Sequence, residues 1–266
     1  LDCMLENRLG EINKMWKGWN RPLLLTAMLN FLLATVFLVF SFFDDRMVLG
    51  LAVWLKPLKF ALSIGVYTIT LSWILKFVES RTASRQIVFW TVVSLWVEMA
   101  LIAIQAGRGT KSHYNIEDLF GIVVFGIMGI FILVVTFMLV WLTLELVKHR
   151  PQQWSKLTFT SVQMGLWFTI VGTLIGGLMS SKTGHTVGGV DGGEGLPFIN
   201  WSTKLGDYRV SHFMGLHALQ VFVLLGLWFD RLRYGRVYIW IIFLFYTFLL
   251  GLVFYLTVQA KSMFSW

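Results

Sequence analysis

The sequence predicts an all-α polytopic membrane protein, a bundle of about seven transmembrane helices with the N-terminus inside and the C-terminus outside. Three observations predict it. Of the 266 residues 57% are apolar and only 14% charged, with 23 Phe and 13 Trp, and the mean hydropathy is +0.72; soluble domains carry about 25% charged residues. The chain repeatedly supplies runs of about 20 mostly apolar residues, the length that crosses roughly 30 Å of hydrocarbon. Its basic residues gather in compact clusters between alternate runs, as the retention of Lys and Arg on the cytoplasmic side requires.

The elements follow in order. In residues 1–21 the apolar positions Leu1, Leu5, Leu9, Ile12, Trp16 and Trp19 recur at helical spacing among Glu6, Arg8, Glu11, Lys14 and Lys17. That is the pattern of an amphipathic helix lying in the interface; the blander alternative is an ordinary amphipathic lead-in to the first span. The segment lacks the short apolar stretch and small residues of a cleavable signal peptide, so span one is the insertion signal. The missing initiator Met points to trimming or to an incomplete chain. Spans are expected near 22–43, 55–78, 86–107, 119–147, 157–180, 212–229 and 237–258. Residues 22–266 are expected to form one seven-helix transmembrane domain with a folded outer loop at 181–211. There is no internal repeat, low-complexity tract or soluble domain.

Orientation rests on charge. Arg8, Lys14, Lys17 and Arg21; Lys76, Arg81 and Arg85; Lys148, Arg150 and Lys156; and Arg231, Arg233 and Arg236 fall on one side. The other side holds fewer: Arg46, Lys56, Lys59, Arg108, Lys111, Lys182, Lys204, Arg209 and Lys261, interspersed with acidic residues. The first side is therefore cytoplasmic. The net charge of +8 is this topology signal and not a nucleic-acid footprint. The expected location is the bacterial cytoplasmic (inner) membrane, with lipids as the first partners, anionic headgroups among them, and other membrane subunits as further ones. The single cysteine, Cys3, excludes a disulfide framework and a Cys-based zinc cluster.

Polar chemistry concentrates on the outer side. Four of the five histidines, His113, His185, His212 and His217, fall there, with only His149 opposite. The 181–211 loop is rich in glycine, which permits tight turns. It also carries Val187, Val190, Leu196, Phe198, Ile199 and Trp201, which favour a loop folded over the bundle rather than a free linker. His212 and His217 are five residues apart, about 140° around a helix, so they cannot hold one ion from a single face; zinc pairs on one helix need a spacing of three or four. A shared metal site then requires His113 and His185 to fold in, and Gly215 leaves room for a neighbouring helix or a planar ligand. Taken singly, each histidine reads better as a hydrogen-bonded interfacial side chain than as a ligand; four on one side bring the two readings level.

Ionisable groups inside spans are costly and are functional candidates by default. Glu98 lies about 13 Å from the outer end of span three at 1.5 Å per residue. Lys59, Ser63 and Tyr67 descend one face of span two, so an ion pair between Glu98 and Lys59 is expected, either functional or as a clamp between helices. Gln105 extends the polar line toward Arg108, and Asn30 and Gln220 are possible extensions. These positions imply an outer cavity walled by spans two, three and six and roofed by 108–118 and 181–211. Its candidate lining comprises Lys59, Glu98, Arg108, His113, His185, Asp191, Glu194, Asp207, Arg209, His212 and His217.

The strings Trp54-Leu-Lys-Pro-Leu-Lys-Phe60, Arg108-Gly-Thr-Lys-Ser-His-Tyr-Asn115 and Gly206-Asp-Tyr-Arg-Val-Ser-His-Phe-Met-Gly-Leu-His-Ala-Leu-Gln220 resemble those of an uncharacterised family of bacterial multi-pass integral membrane proteins. The likeness covers most of the chain and implies no particular activity. A weaker resemblance is to haem-handling proteins of cytochrome c maturation, through Trp201 and the Asp207-Tyr-Arg209 triplet, although the dense tryptophan run of those proteins is missing.

Three functions remain open. The first is an outer-face site binding a metal ion or haem, with His113, His185, His212 and His217 as metal ligands, Arg108 and Trp201 contacting the cofactor, and Glu98, Asp207 and Arg209 in redox or hydrolytic chemistry. The second is a proton-coupled transporter using Glu98 and Lys59, against which stand the absence of a repeat and of a charged path to the inner side. The third is a non-catalytic subunit or receptor whose aromatic surface contacts lipid and partners. Phosphate loops, nucleophile elbows and His-Glu-x-x-His motifs are absent. Asp191-Gly-Gly-Glu194 lacks calcium-hand spacing, Asn200-Trp-Ser202 is a weak glycosylation pattern, and the seventh span has no lysine for a retinal Schiff base.

Overall fold

The structure, a computed structural model, describes residues 18–264. Apart from residues 18–21, the interfacial helix expected over 1–21 lies outside the described residues. Seven helices follow: α1 Arg21–Phe40, α2 Leu55–Leu75, α3 Arg81–Arg108, α4 Leu119–Lys148, α5 Lys156–Ser181, α6 Tyr208–Phe229 and α7 Gly235–Val258. Each is long and apolar enough to cross a membrane.

Their starts are fixed by local chemistry. Side-chain oxygens of Asn20, Ser80, Asp118, Ser155 and Asp207 each accept a backbone N–H in the first turn of the helix they precede, satisfying donors that a helix leaves orphaned. The caps move two boundaries from their expected places. Helix α3 begins at Arg81 rather than near 86 because Ser80 caps it. Helix α6 begins at Tyr208 rather than 212 because Asp207 does, which puts His212 a full turn inside the helix.

Two short hairpins lie at the same end of the molecule. β1 Met47–Val48 pairs antiparallel with β2 Leu51–Ala52, and β3 Thr186–Val187 with β4 Gly206–Asp207, Thr186 opposite Asp207. The second hairpin closes the base of the loop that leads into α6. Farther out, a bridge between Gly195 and Ser202 closes the loop again.

Packing is uneven. Helix α5 lies on α6 over the widest contact, α1 packs on α2, and α3 on α4; α2 touches α3 and α6. The α5–α6 approach depends on glycine. A Cβ on Gly165 would come within 2.8 Å of Leu219 Cα, and one on Gly172 within 2.7 Å of the Leu216 nitrogen. The space expected beside Gly215 for a helix or a planar ligand is therefore filled by helix α5.

One buried face is polar. On α3, Thr91, Ser94, Glu98 and Gln105 are all buried, Glu98 at 4% exposure. Their spacing of three, four and seven residues stacks them on one side of the helix.

Candidate functional site

The hairpin end of the bundle gathers the polar residues, and the loop from 182 to 207 is tied down over it. Asp207 is the anchor: 3% exposed, it accepts from the Arg209 and Ser202 backbone N–H groups at 3.0 and 2.9 Å and pairs with the Arg209 guanidinium at 2.6 Å. Arg209 also donates to the Asn200 carbonyl. Asn200 Nδ2 donates to the Leu49 carbonyl at 3.2 Å, joining the loop to the first hairpin. Ser262 Oγ donates to the Ser202 carbonyl at 2.7 Å, so the chain end after α7 holds the loop from the other side.

Helix α2 presents two lysines to this loop. Lys59 Nζ donates to the carbonyls of Phe198 and Ile199 at 3.1 and 3.5 Å. Lys56 Nζ donates to His113 Nδ1 at 3.3 Å, and Ser112 Oγ stands 3.1 Å from the same nitrogen. His113 is walled by Phe60 and Phe125. Burial, together with the nearby Lys56 and His212, holds its pKa well below the usual histidine value, so the ring is a neutral acceptor for the lysine.

The other histidines each have their own partner. His185 Nδ1 lies 3.3 Å from Asp191 and 3.7 Å from Asp207. Burial first, and then the charge of Arg209, push its pKa down to about 4 against the pull of the two carboxylates. Asp191 is occupied by the backbone N–H groups of His185 and Thr186. His212 Nδ1 donates to the Gly172 carbonyl at 2.7 Å, in space that a side chain at Gly176 would fill. His217 Nε2 is 3.5 Å from Ser63 Oγ on α2. The 140° between His212 and His217 thus sends one toward α5 and the other toward α2.

This geometry lends no support to the metal and haem expectation. Among the described residues no group of three or more His, Cys, Asp and Glu could hold a metal ion. His113, His185, His212 and His217 share one end of the bundle without converging on one point: each turns toward a different partner, Lys56, the Asp191 and Asp207 carboxylates, the Gly172 carbonyl and the Ser63 hydroxyl. The two proposed cofactor contacts are also committed. Arg108 pairs with Asp118 at 3.0 Å, donates to Gln105 Oε1 at 2.7 Å and lies over the Phe120 ring, which fastens the 109–118 loop. Trp201 packs against Phe213 and Phe264. Glu194 pairs with Lys204 at the surface, and Asp207 and Arg209 hold the loop.

The expected Glu98–Lys59 ion pair is also absent from the ion pairs of the described residues, since Lys59 reaches up to the loop. Glu98 instead keeps a carboxylate oxygen, Oε2, buried without a hydrogen-bond partner. Lys56 is the cation it feels, without closing to an ion pair. Below Glu98, the hydroxyls of Thr91 and Ser94 are likewise buried and unpartnered, as are the side-chain oxygens of Asn30 on α1 and Gln220 on α6. Buried polar groups are nearly always satisfied, so this set marks an interior suited to water or a small polar species. Thr91 and Ser94 escape sequence reasoning because single hydroxyls are common in apolar spans; their seven- and four-residue distances from Glu98 are the signal. A small pocket beside Ser202, Leu205, Asp207 and Thr257 lies across the loop and includes none of the four histidines.

No family model matches the chain, and no curated protein or solved structure matches it.

Proposed function

We propose that the protein spans the bacterial cytoplasmic membrane seven times, N-terminus inside, and works as a proton-coupled carrier in which Glu98 takes up and releases the proton. One observation carries this reading: a carboxylate at 4% exposure, ten residues from the end of a spanning helix, has an oxygen without a partner. A structural carboxylate at such depth is normally paired, because an unpaired buried charge costs several kcal/mol. A proton-carrying carboxylate has to stay free for its proton. Ser94 and Thr91 below it and Gln105 above it supply polar positions on the same face toward both ends of α3. The orientation is supported by the clustering of basic residues at the end opposite the hairpins.

The test is the pH-difference infrared spectrum of the purified protein in detergent. A protonated-carboxyl band that appears and disappears with pH in the wild type, and is missing in Glu98→Gln, is the expected result. An identical band set in the two proteins would show that Glu98 exchanges no proton with water.

A further inference from the structure

We infer that Lys56 and Lys59 form a receptor for a small oxyanion, a carboxylate or phosphate group, and that the turn at 196–201 is the lid over it. The inference deepens the carrier reading by naming the solute class that accompanies the proton, and it rests on that reading only for the coupling.

The charge balance at this end of the bundle is uneven. Of the acidic groups around the lysines, Asp207 is matched by Arg209 and Asp191 is taken up by two backbone N–H groups and His185. Glu98 touches neither lysine. Lys56 and Lys59, three residues apart on one helix, have no carboxylate in ion-pair contact among the described residues; their partners are a neutral imidazole and two carbonyls. Lys56 also occupies the first turn of α2, where the helix dipole disfavours cations. Trp54, which precedes the helix, makes no side-chain cap there. Two partly buried ammonium groups with only neutral acceptors are the arrangement that an oxyanion completes, through charge-assisted hydrogen bonds.

The lid shows what the anion would displace. The carbonyl oxygens of Phe198 and Ile199 sit on Lys59 where ligand oxygens would bind. They are presented by a turn in which Phe198 and Asn200 both adopt left-handed backbone, φ 65° and 56°, a conformation that Asn tolerates but that is unfavourable for the bulky Phe198. Phe198 is half exposed and lies beside the Lys59 ammonium. An arriving oxyanion takes over the lysine's hydrogen bonds, releases the strained turn, and comes to lie on the side of the bundle that holds Glu98.

The experiment uses the full chain, purified in uncharged detergent and checked for a single species by size exclusion. Inorganic phosphate and acetate are titrated calorimetrically against chloride at matched ionic strength. Wild type binds one of the two above the chloride background, Lys56→Gln and Lys59→Gln bind it about tenfold or more weakly, and Lys56→Arg, which keeps the charge, restores binding and guards against misfolding. Absence of binding beyond chloride, or equal binding by the Lys56→Gln/Lys59→Gln double variant, overturns the site. A parallel arm in nanodiscs of neutral lipid, with and without phosphatidylglycerol, identifies the source. Phosphate that competes only when the anionic lipid is absent makes the oxyanion a headgroup, whereas equal binding in both makes it a free solute. Glu98→Gln separates the two readings: it retains anion binding if the receptor is correct, whether or not Glu98 carries a proton.

Discussion

At the scale of single residues, His185 carries the clearest electrostatic consequence. Its pKa lies at about 4 in the folded protein against 6.5 for a free side chain, so between these values the unfolded chain binds more protons than the folded one. Stability is then greatest above pH 6.5 and declines as pH falls toward 4, by about 3 kcal/mol at most. His113, held low by burial and Lys56, adds to the decline in the same direction. Thermal unfolding in detergent between pH 7.5 and 5 should show the loss, and His185→Gln should flatten it; an unchanged slope would place the titration elsewhere. The same residues show how much of the site was legible in the sequence. That four histidines belong to one end follows from where the spans begin and stop. Which partner each one takes does not, because it depends on the register between helices: His212 meets the Gly172 carbonyl only because α5 and α6 touch at glycines. Lys59 misled for a related reason, its long stem reaching the loop as easily as Glu98, and nothing local distinguishes the two.

At the scale of elements, α5 and α6 form the tightest pair, and their separation is set by Gly165, Gly172 and Gly215 rather than by large apolar side chains. In a membrane, where lipid is as apolar as leucine, close backbone approach is a main source of helix association. Gly172→Leu would place atoms where the Leu216 nitrogen sits and is expected to cost about 1–3 kcal/mol or more. Gly177→Ala, on the same helix with nothing within 4 Å, should be neutral or stabilising by about 0.5–1 kcal/mol, since alanine is the better helix former. Thermal unfolding of the two variants side by side decides it: similar midpoints would mean that the glycine contact does not set the packing. Spans four, five and seven were legible to within two residues at each end, because each is a single apolar run. The starts of α3 and α6 were not, because Arg81 and Tyr208 lie in polar stretches that only the caps at Ser80 and Asp207 recruit into helices.

At the scale of the whole molecule, the seven helices separate into those that build the interior and those that face outward. Helix α5 is buried over 56% of its apolar window and α7 over 17%, so α7 presents most of its Phe, Tyr and Trp side chains to the surroundings, an arrangement compatible with lipid contact. The interior helices bring the cations and histidines to one end and leave Glu98 alone beneath them. In the sequence this looked like a ligand cage; in the fold it is a set of paired side chains above one unpaired carboxylate. Proton movement through reconstituted protein tests that picture most directly. In liposomes carrying an internal pH-sensitive dye and an imposed proton gradient, with phosphate or acetate present, wild-type protein is expected to dissipate the gradient and Glu98→Gln to lose that activity while remaining folded. Equal dissipation by the two proteins would contradict the assignment of Glu98 as the proton carrier.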